Sequence, residues 1–91
     1  MGVAVWRTDL EAVEFRPHNH GGVCMIHRLA FRTLIGRSPD AAECLVFFED
    51  NKLAILRAAI DKMSTGKIAD HRNFHLNSRD VRKFLSNEGE F

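Results

Sequence analysis

Along the first third of the chain the spacing of apolar side chains changes once, from every second residue to every third or fourth, dividing a strand region from a helical one. Val13 and Phe15 alternate with Glu14 over Glu11–Arg16, the period of a half-buried strand. Val3-Ala4-Val5-Trp6 reads as a shorter strand before it. Val23-Cys24-Met25-Ile26 resumes extended structure after Pro17-His18-Asn19-His20-Gly21-Gly22, a turn whose Asn and glycines tolerate positive φ. These segments predict a hairpin, or a three-stranded meander where the first strand joins. From about Arg28 the apolar positions Leu29, Ala30, Phe31, Leu34 and Ile35 follow helical steps, and Gly36 suits a left-handed helix end.

The next segment carries the clearest start signal. Ser38 can accept a backbone N–H as N-cap, Pro39 suits the first helical position, and Asp40 favours the positive end of the helix dipole. Ala41, Cys44, Leu45, Phe48, Ile55, Leu56, Ala59, Ile60 and Met63 then form one stripe. The expectation is a single helix from Pro39 to about Thr65, closed by Gly66 and about 40 Å long. The competing reading breaks it in two near Asp50-Asn51. After a polar connection from Lys67 to Arg72, Phe74-His75-Leu76 reads as a last short strand with Asn73 and His75 on one side. Asn77 or Ser78 caps a final helix with Val81, Phe84 and Leu85 on its apolar face, and residues 86–91 form a frayed tail. The predicted architecture is α+β: a small antiparallel sheet of three to four strands packed against one long helix and two short ones.

Composition narrows the setting. A chain of 91 residues makes one domain, ordered over about residues 3–85, and buries a modest share of its surface, so a second subunit is a natural supplement. Lys and Arg number 13 against 12 Asp and Glu, a balance unlike that of a dedicated polyanion binder. No apolar run approaches the length needed to span a bilayer, and Arg7 and Asp9 interrupt the start where a signal peptide needs an apolar core. With two cysteines, Cys24 and Cys44, in apolar segments, the expected setting is a reducing cytoplasm.

Several segments resemble one family. The Val13-Glu14-Phe15 strand is followed by a glycine turn and by Val23-Cys24-Met25-Ile26 leading into a short helix. A long helical segment then carries Phe48-Glu49-Asp50-Asn51-Lys52, Ile55 and Ala59, and the chain closes on Leu76-Asn77-Ser78-Arg79-Asp80-Val81. Over about residues 3–85 this resembles the small bacterial proteins grouped as domain of unknown function 1488. His27 and Lys52 depart from the serine and arginine common there, and the first leaves the start of the short helix without a cap. The resemblance implies a small α+β fold in a bacterial cytoplasm and assigns no reaction.

The residues themselves assemble no catalytic or cofactor motif. His18 and His20, Cys24 and His27, and His71 and His75 fall short of zinc spacings, and Cys24 and His27 would face opposite sides of a strand. The histidine turn reads as solvated. Both cysteines read as core packing, with nothing to lower a thiol pKa. Gly21-Gly22 lies between strands, not between a strand and a helix, so no phosphate loop forms.

Two surfaces stand out instead. Arg72, Arg79, Arg82 and Lys83 make a cationic stretch in the C-terminal third, a candidate anion or nucleic-acid patch, or a solvated face answered by nearby carboxylates. Phe47 and Leu53 fall outside the main helical stripe and are candidate interface positions unless the short helix covers them. The leading expectation is a non-enzymatic module that associates with itself or another protein through the long helix and the open sheet face. A weak nucleic-acid binder is the alternative, and a metal-assisted or small-molecule enzyme ranks third.

Overall fold

Three alternating segments at the start and one after the helices meet in a single sheet. The computed structural model describes residues 4–88. Strands β1 (Val5–Arg7), β2 (Ala12–Phe15) and β3 (Cys24–His27) are followed by helices α1 (Arg28–Ile35), α2 (Ala41–Asp50) and α3 (Lys52–Thr65). Strand β4 (Phe74–Leu76) and helix α4 (Ser78–Glu88) close the chain. The sheet order is β1-β2-β3-β4. The first two pairings are antiparallel, but β4 lies parallel to β3, with Cys24 opposite Phe74 and Ile26 opposite Leu76. The sheet is therefore mixed, not antiparallel as expected. The cause is the helical connection over residues 28–73, which brings the chain back to the end of the sheet where β3 began.

Alternation sends Val13, Phe15, Cys24, Ile26, Phe74 and Leu76 toward the helices, where they join Phe31, Cys44, Phe48, Ile55 and Val81 in one core. Phe15 and Phe48 meet at 5.0 Å between ring centroids. The thin axis of the molecule, 19 Å, fits one sheet layer and one helix layer. The other face carries Glu14, Met25 and His75, of which Met25 is buried and His75 exposed.

The expected single long helix is two helices, as in the competing reading, divided at Asn51. Its φ of −120° and ψ of 26° leave the helical region. The amide N–H of Asn51 still donates to Phe47 O at 3.0 Å, its side chain bonds the same carbonyl at 3.0 Å, and Ile55 N–H donates to Asn51 O at 3.0 Å. Asn competes with the helix by bonding nearby backbone, which locates the break there. The N-cap also differs from expectation. Asp40, not Ser38, accepts Glu43 N–H at 2.8 Å, and the Glu43 carboxylate accepts Asp40 N–H at 3.1 Å. Only Asp40 has a carboxylate three residues on; Ser38 has Ala41 there. Pro39 thus precedes the cap and is buried.

Helix α1 begins without a side-chain cap. Its first N–H, on Arg28, donates to Glu11 O at 2.8 Å, and the Arg28 guanidinium pairs with the Glu11 carboxylate at 3.0 Å. Glu11 holds φ of 48° to make that reach. Asn77 caps α4, its Oδ1 accepting Asp80 N–H at 2.8 Å while Asp80 accepts Asn77 N–H at 2.9 Å. The tail expected over 86–91 is helical to Glu88, and the rest of it, like Val3, lies outside the described residues.

The turn before β3 is stitched to the loop before β4. Gly21 and Gly22 N–H groups converge on Asp70 O at 2.6 and 3.2 Å, and Val23 N–H donates to Asn73 Oδ1 at 3.0 Å. A Cβ on Gly22 would stand 2.3 Å from Arg72 O, so only glycine admits this approach. His20 is buried here, not solvated. Its Nε2 lies 2.7 Å from Arg72 O and its ring stands edge-on to Phe74. A backbone carbonyl left facing a buried ring is satisfied by that imidazole N–H.

Candidate functional site

The cationic patch divides in the structure. Arg79, Arg82 and Lys83 border one surface depression of about 410 Å³ with Asp61 and Asp80, while Arg72 stands apart on the loop before β4. Lys83 Nζ pairs with Asp61 at 3.3 Å and Lys62 Nζ with Asp80 at 2.8 Å. Arg79 and Arg82 are exposed and make no ion pair among the described residues. Two carboxylates thus sit inside the patch, which lowers its attraction for a polyanion.

The two interface candidates also separate. Phe47 is half-buried and packs edge-on against Phe31 at 5.9 Å, so the short helix covers it. Leu53 remains 55% exposed on α3, and Ile60, seven residues on, is 59% exposed. Leu56 and Met63 lie half-buried beside them, completing an aliphatic stripe at steps of three and four along the whole helix. Lys52 and Arg57 flank it, exposed and without an ion pair among the described residues. On α2, Val46 is 58% exposed beside Glu49 and Asp50.

Cys24 and Cys44 are fully buried thiols. Burial pushes the Cys24 pKa well up, and burial raises that of Cys44 to about 11, which suits packing and opposes nucleophilic use. Among the described residues no three or more His, Cys, Asp or Glu side chains group as metal ligands. His18 and His71 are exposed on separate loops.

One arrangement escapes any reading of sequence spacing. His27, at the end of β3, stacks on His75 of β4 with ring centroids 4.9 Å apart and planes 11° from parallel. The parallel pairing of the two strands creates the contact across residues far apart in sequence. Burial, then the neighbouring His27 and then Lys62, lower the His75 pKa below its ordinary value. The pair borders an open depression of about 440 Å³ lined by residues of α1, α3 and the start of α4.

No protein-family model, no curated protein and no solved structure matches this chain. No helix among the described residues is long and apolar enough to cross a membrane.

Proposed function

We propose that this chain is a non-enzymatic interaction module that pairs with a second copy of itself through the solvent faces of α2 and α3. The observation that carries this reading is the exposed aliphatic stripe on α3, Leu53 and Ile60 with Leu56 and Met63 beside them. Two large aliphatics more than half exposed in register along one short helix form a contiguous apolar surface, and such surfaces mark interfaces. Charge supports a self-complementary pairing. The α2 face is acidic around Val46 and the α3 face is basic around Leu53. An antiparallel two-fold centred on Leu53 sets Val46 against Ile60 of the second copy and Glu49 against its Arg57, an isologous contact in which each pair occurs twice. The resemblance to the domain of unknown function 1488 family brings no competing activity.

Sedimentation equilibrium at micromolar concentration tests the proposal. The unmutated chain is expected to dimerise, and Leu53→Glu to weaken the dimer about thirtyfold or more. Glu49→Arg and Arg57→Glu should each weaken it, and together restore it. A monomer throughout for the unmutated chain overturns the reading.

The second reading, a weak nucleic-acid binder, is favoured by one observation, Arg79 and Arg82 exposed one turn apart on α4 and making no ion pair among the described residues. Salt-dependent retention of single- or double-stranded nucleic acid that Arg79→Ala and Arg82→Ala abolish would support it, and no retention by the unmutated chain would end it.

A further inference from the structure

Strands β3 and β4 run parallel, and each feeds a helix at its carboxyl end: His27 leads directly into α1, and Asn77 alone separates Leu76 from α4. Polar side chains of the strand ends and helix starts converge at that end of the sheet, the kind of place where small-molecule sites form. The open depression of about 440 Å³ lies there, large enough to admit a small molecule at the surface. Leu29 and Leu76 give it apolar surface, while His27, His75, Lys62 and Ser78 supply polar atoms.

The chemistry of the lining is one-sided. Among the described residues no carboxylate lines the depression. Asp80 is committed beside it, one oxygen accepting both the Lys62 ammonium at 2.8 Å and Asn77 N–H at 2.9 Å. That bond fixes Lys62 without consuming its other two N–H donors. On the opposite side of His27, Glu11 and Arg28 pair with each other at 3.0 Å in a separate depression. The groups that face the imidazole stack are therefore donors or cations, and the charges beyond them are paired. A divalent metal would meet Lys62 as a repulsive neighbour and lack a third ligand among the described residues. An anion would meet ring N–H groups, the Lys62 ammonium and the Ser78 hydroxyl as donors, with the Asp80 carboxylate held away by Lys62 and Asn77 N–H.

We propose that the depression at the carboxyl ends of β3 and β4 binds a small phosphate monoester, its phosphate held by His27, His75 and Lys62 and its apolar body against Leu29 and Leu76. The site lies away from the α2–α3 stripe and stands or falls independently of dimerisation.

Histidine Cε1–H resonances followed by NMR at about pH 6.5, where imidazoles titrate, give the test. Phenyl phosphate is the probe, with inorganic phosphate and acetate compared at equal ionic strength. The expected result is a saturable shift of the His27 and His75 signals, leaving His18 and His71 unmoved, with a dissociation constant on the order of 1 mM or below. Phenyl phosphate should bind about tenfold tighter than inorganic phosphate because its ring removes apolar surface from water. Binding should raise the His75 pKa, the sign expected for an anion beside an imidazole. His75→Gln and Lys62→Met should each weaken binding about tenfold, by removing a charge-assisted hydrogen bond. No saturable shift, an equal effect from acetate, or unchanged affinity in both variants would overturn the proposal. His75 is exposed, so its variant keeps the fold and the last comparison remains readable if Lys62→Met does not.

Discussion

Replacing Gly22 by alanine tests the contact on which the parallel strand pair depends. The added Cβ would lie 2.3 Å from Arg72 O and 2.5 Å from Arg72 C, both backbone atoms that cannot rotate away. Ordinary separations exceed these by about 1 Å, so the turn and the loop before β4 must part by that amount. Five hydrogen bonds bridge the same seam: Gly21 and Gly22 to Asp70 O, Val23 N–H to Asn73 Oδ1, Phe74 N–H to Val23 O, and His20 to Arg72 O. Each contributes about 1 kcal/mol, so losing or stretching two to four of them costs roughly 2–4 kcal/mol. For a domain of this size that lowers Tm by at least about 10 °C. Gly36→Ala is the control. Gly36 has φ of 94° with nothing within 4 Å of a new Cβ, so its cost is conformational only, about 1 kcal/mol. Urea unfolding followed by circular dichroism measures both, with an unchanged m-value showing that stability alone has moved. A Gly22→Ala protein within experimental error of Gly36→Ala would refute the close approach, and with it the way β4 is held beside β3.

Three further outcomes follow from side chains already placed. Asp40→Ala should destabilise the fold by about 1 kcal/mol in urea melts while Ser38→Ala changes it little, because only Asp40 completes the reciprocal cap; equal effects would return the cap to Ser38. Cys24 and Cys44 should resist a thiol reagent at about pH 8 until denaturant is added, since a thiol of pKa about 11 is only about one part in a thousand thiolate there; rapid native labelling of either would contradict their burial. His75, with its pKa lowered in the fold, takes up a proton more readily when unfolded, so stability should fall as pH drops through the ordinary imidazole value of 6.5 and level off below the folded value. The drop in Tm between about pH 7.5 and 5.5 should be smaller in His75→Gln, and an identical drop would show that another group carries it.

The strand and helix periods of this chain were legible because they are local. Val13 and Phe15 face the core, the cysteines are buried, and α1 ends on Gly36 in the left-handed region. What the sequence hid is nonlocal or a matter of a few tenths of a turn. The stripe from Ala41 to Met63 has one helical period on both sides of Asn51, so apolar spacing alone cannot register a break made by one residue's side chain bonding back to Phe47. The start of α1 looked uncapped because its partner is Glu11, an earlier loop carbonyl. His20 looked solvated because its neighbours in sequence are polar; its hydrogen-bond partner, Arg72, is fifty-two residues on.

The direction of β4 is the point at which fold and candidate site are decided together. Strand segments of three residues carry no signal of direction, but the connection does: β4 follows β3 only after three helices, and a helical crossover joins parallel strands where a tight turn joins antiparallel ones. An antiparallel β4 would carry Asn77 and Ser78 toward the Val23 end of β3, away from His27. The stacked imidazoles, Lys62 and the start of α4 meet because both strands end on the same side of the sheet. The aliphatic stripe owes nothing to that choice. It is set by α3 presenting Ala54, Ile55, Ala58 and Ala59 to the core while Leu53 and Ile60 point outward. A change that loosens β4 should therefore disturb the histidine depression and spare self-association, whereas a charge at Leu53 should do the reverse.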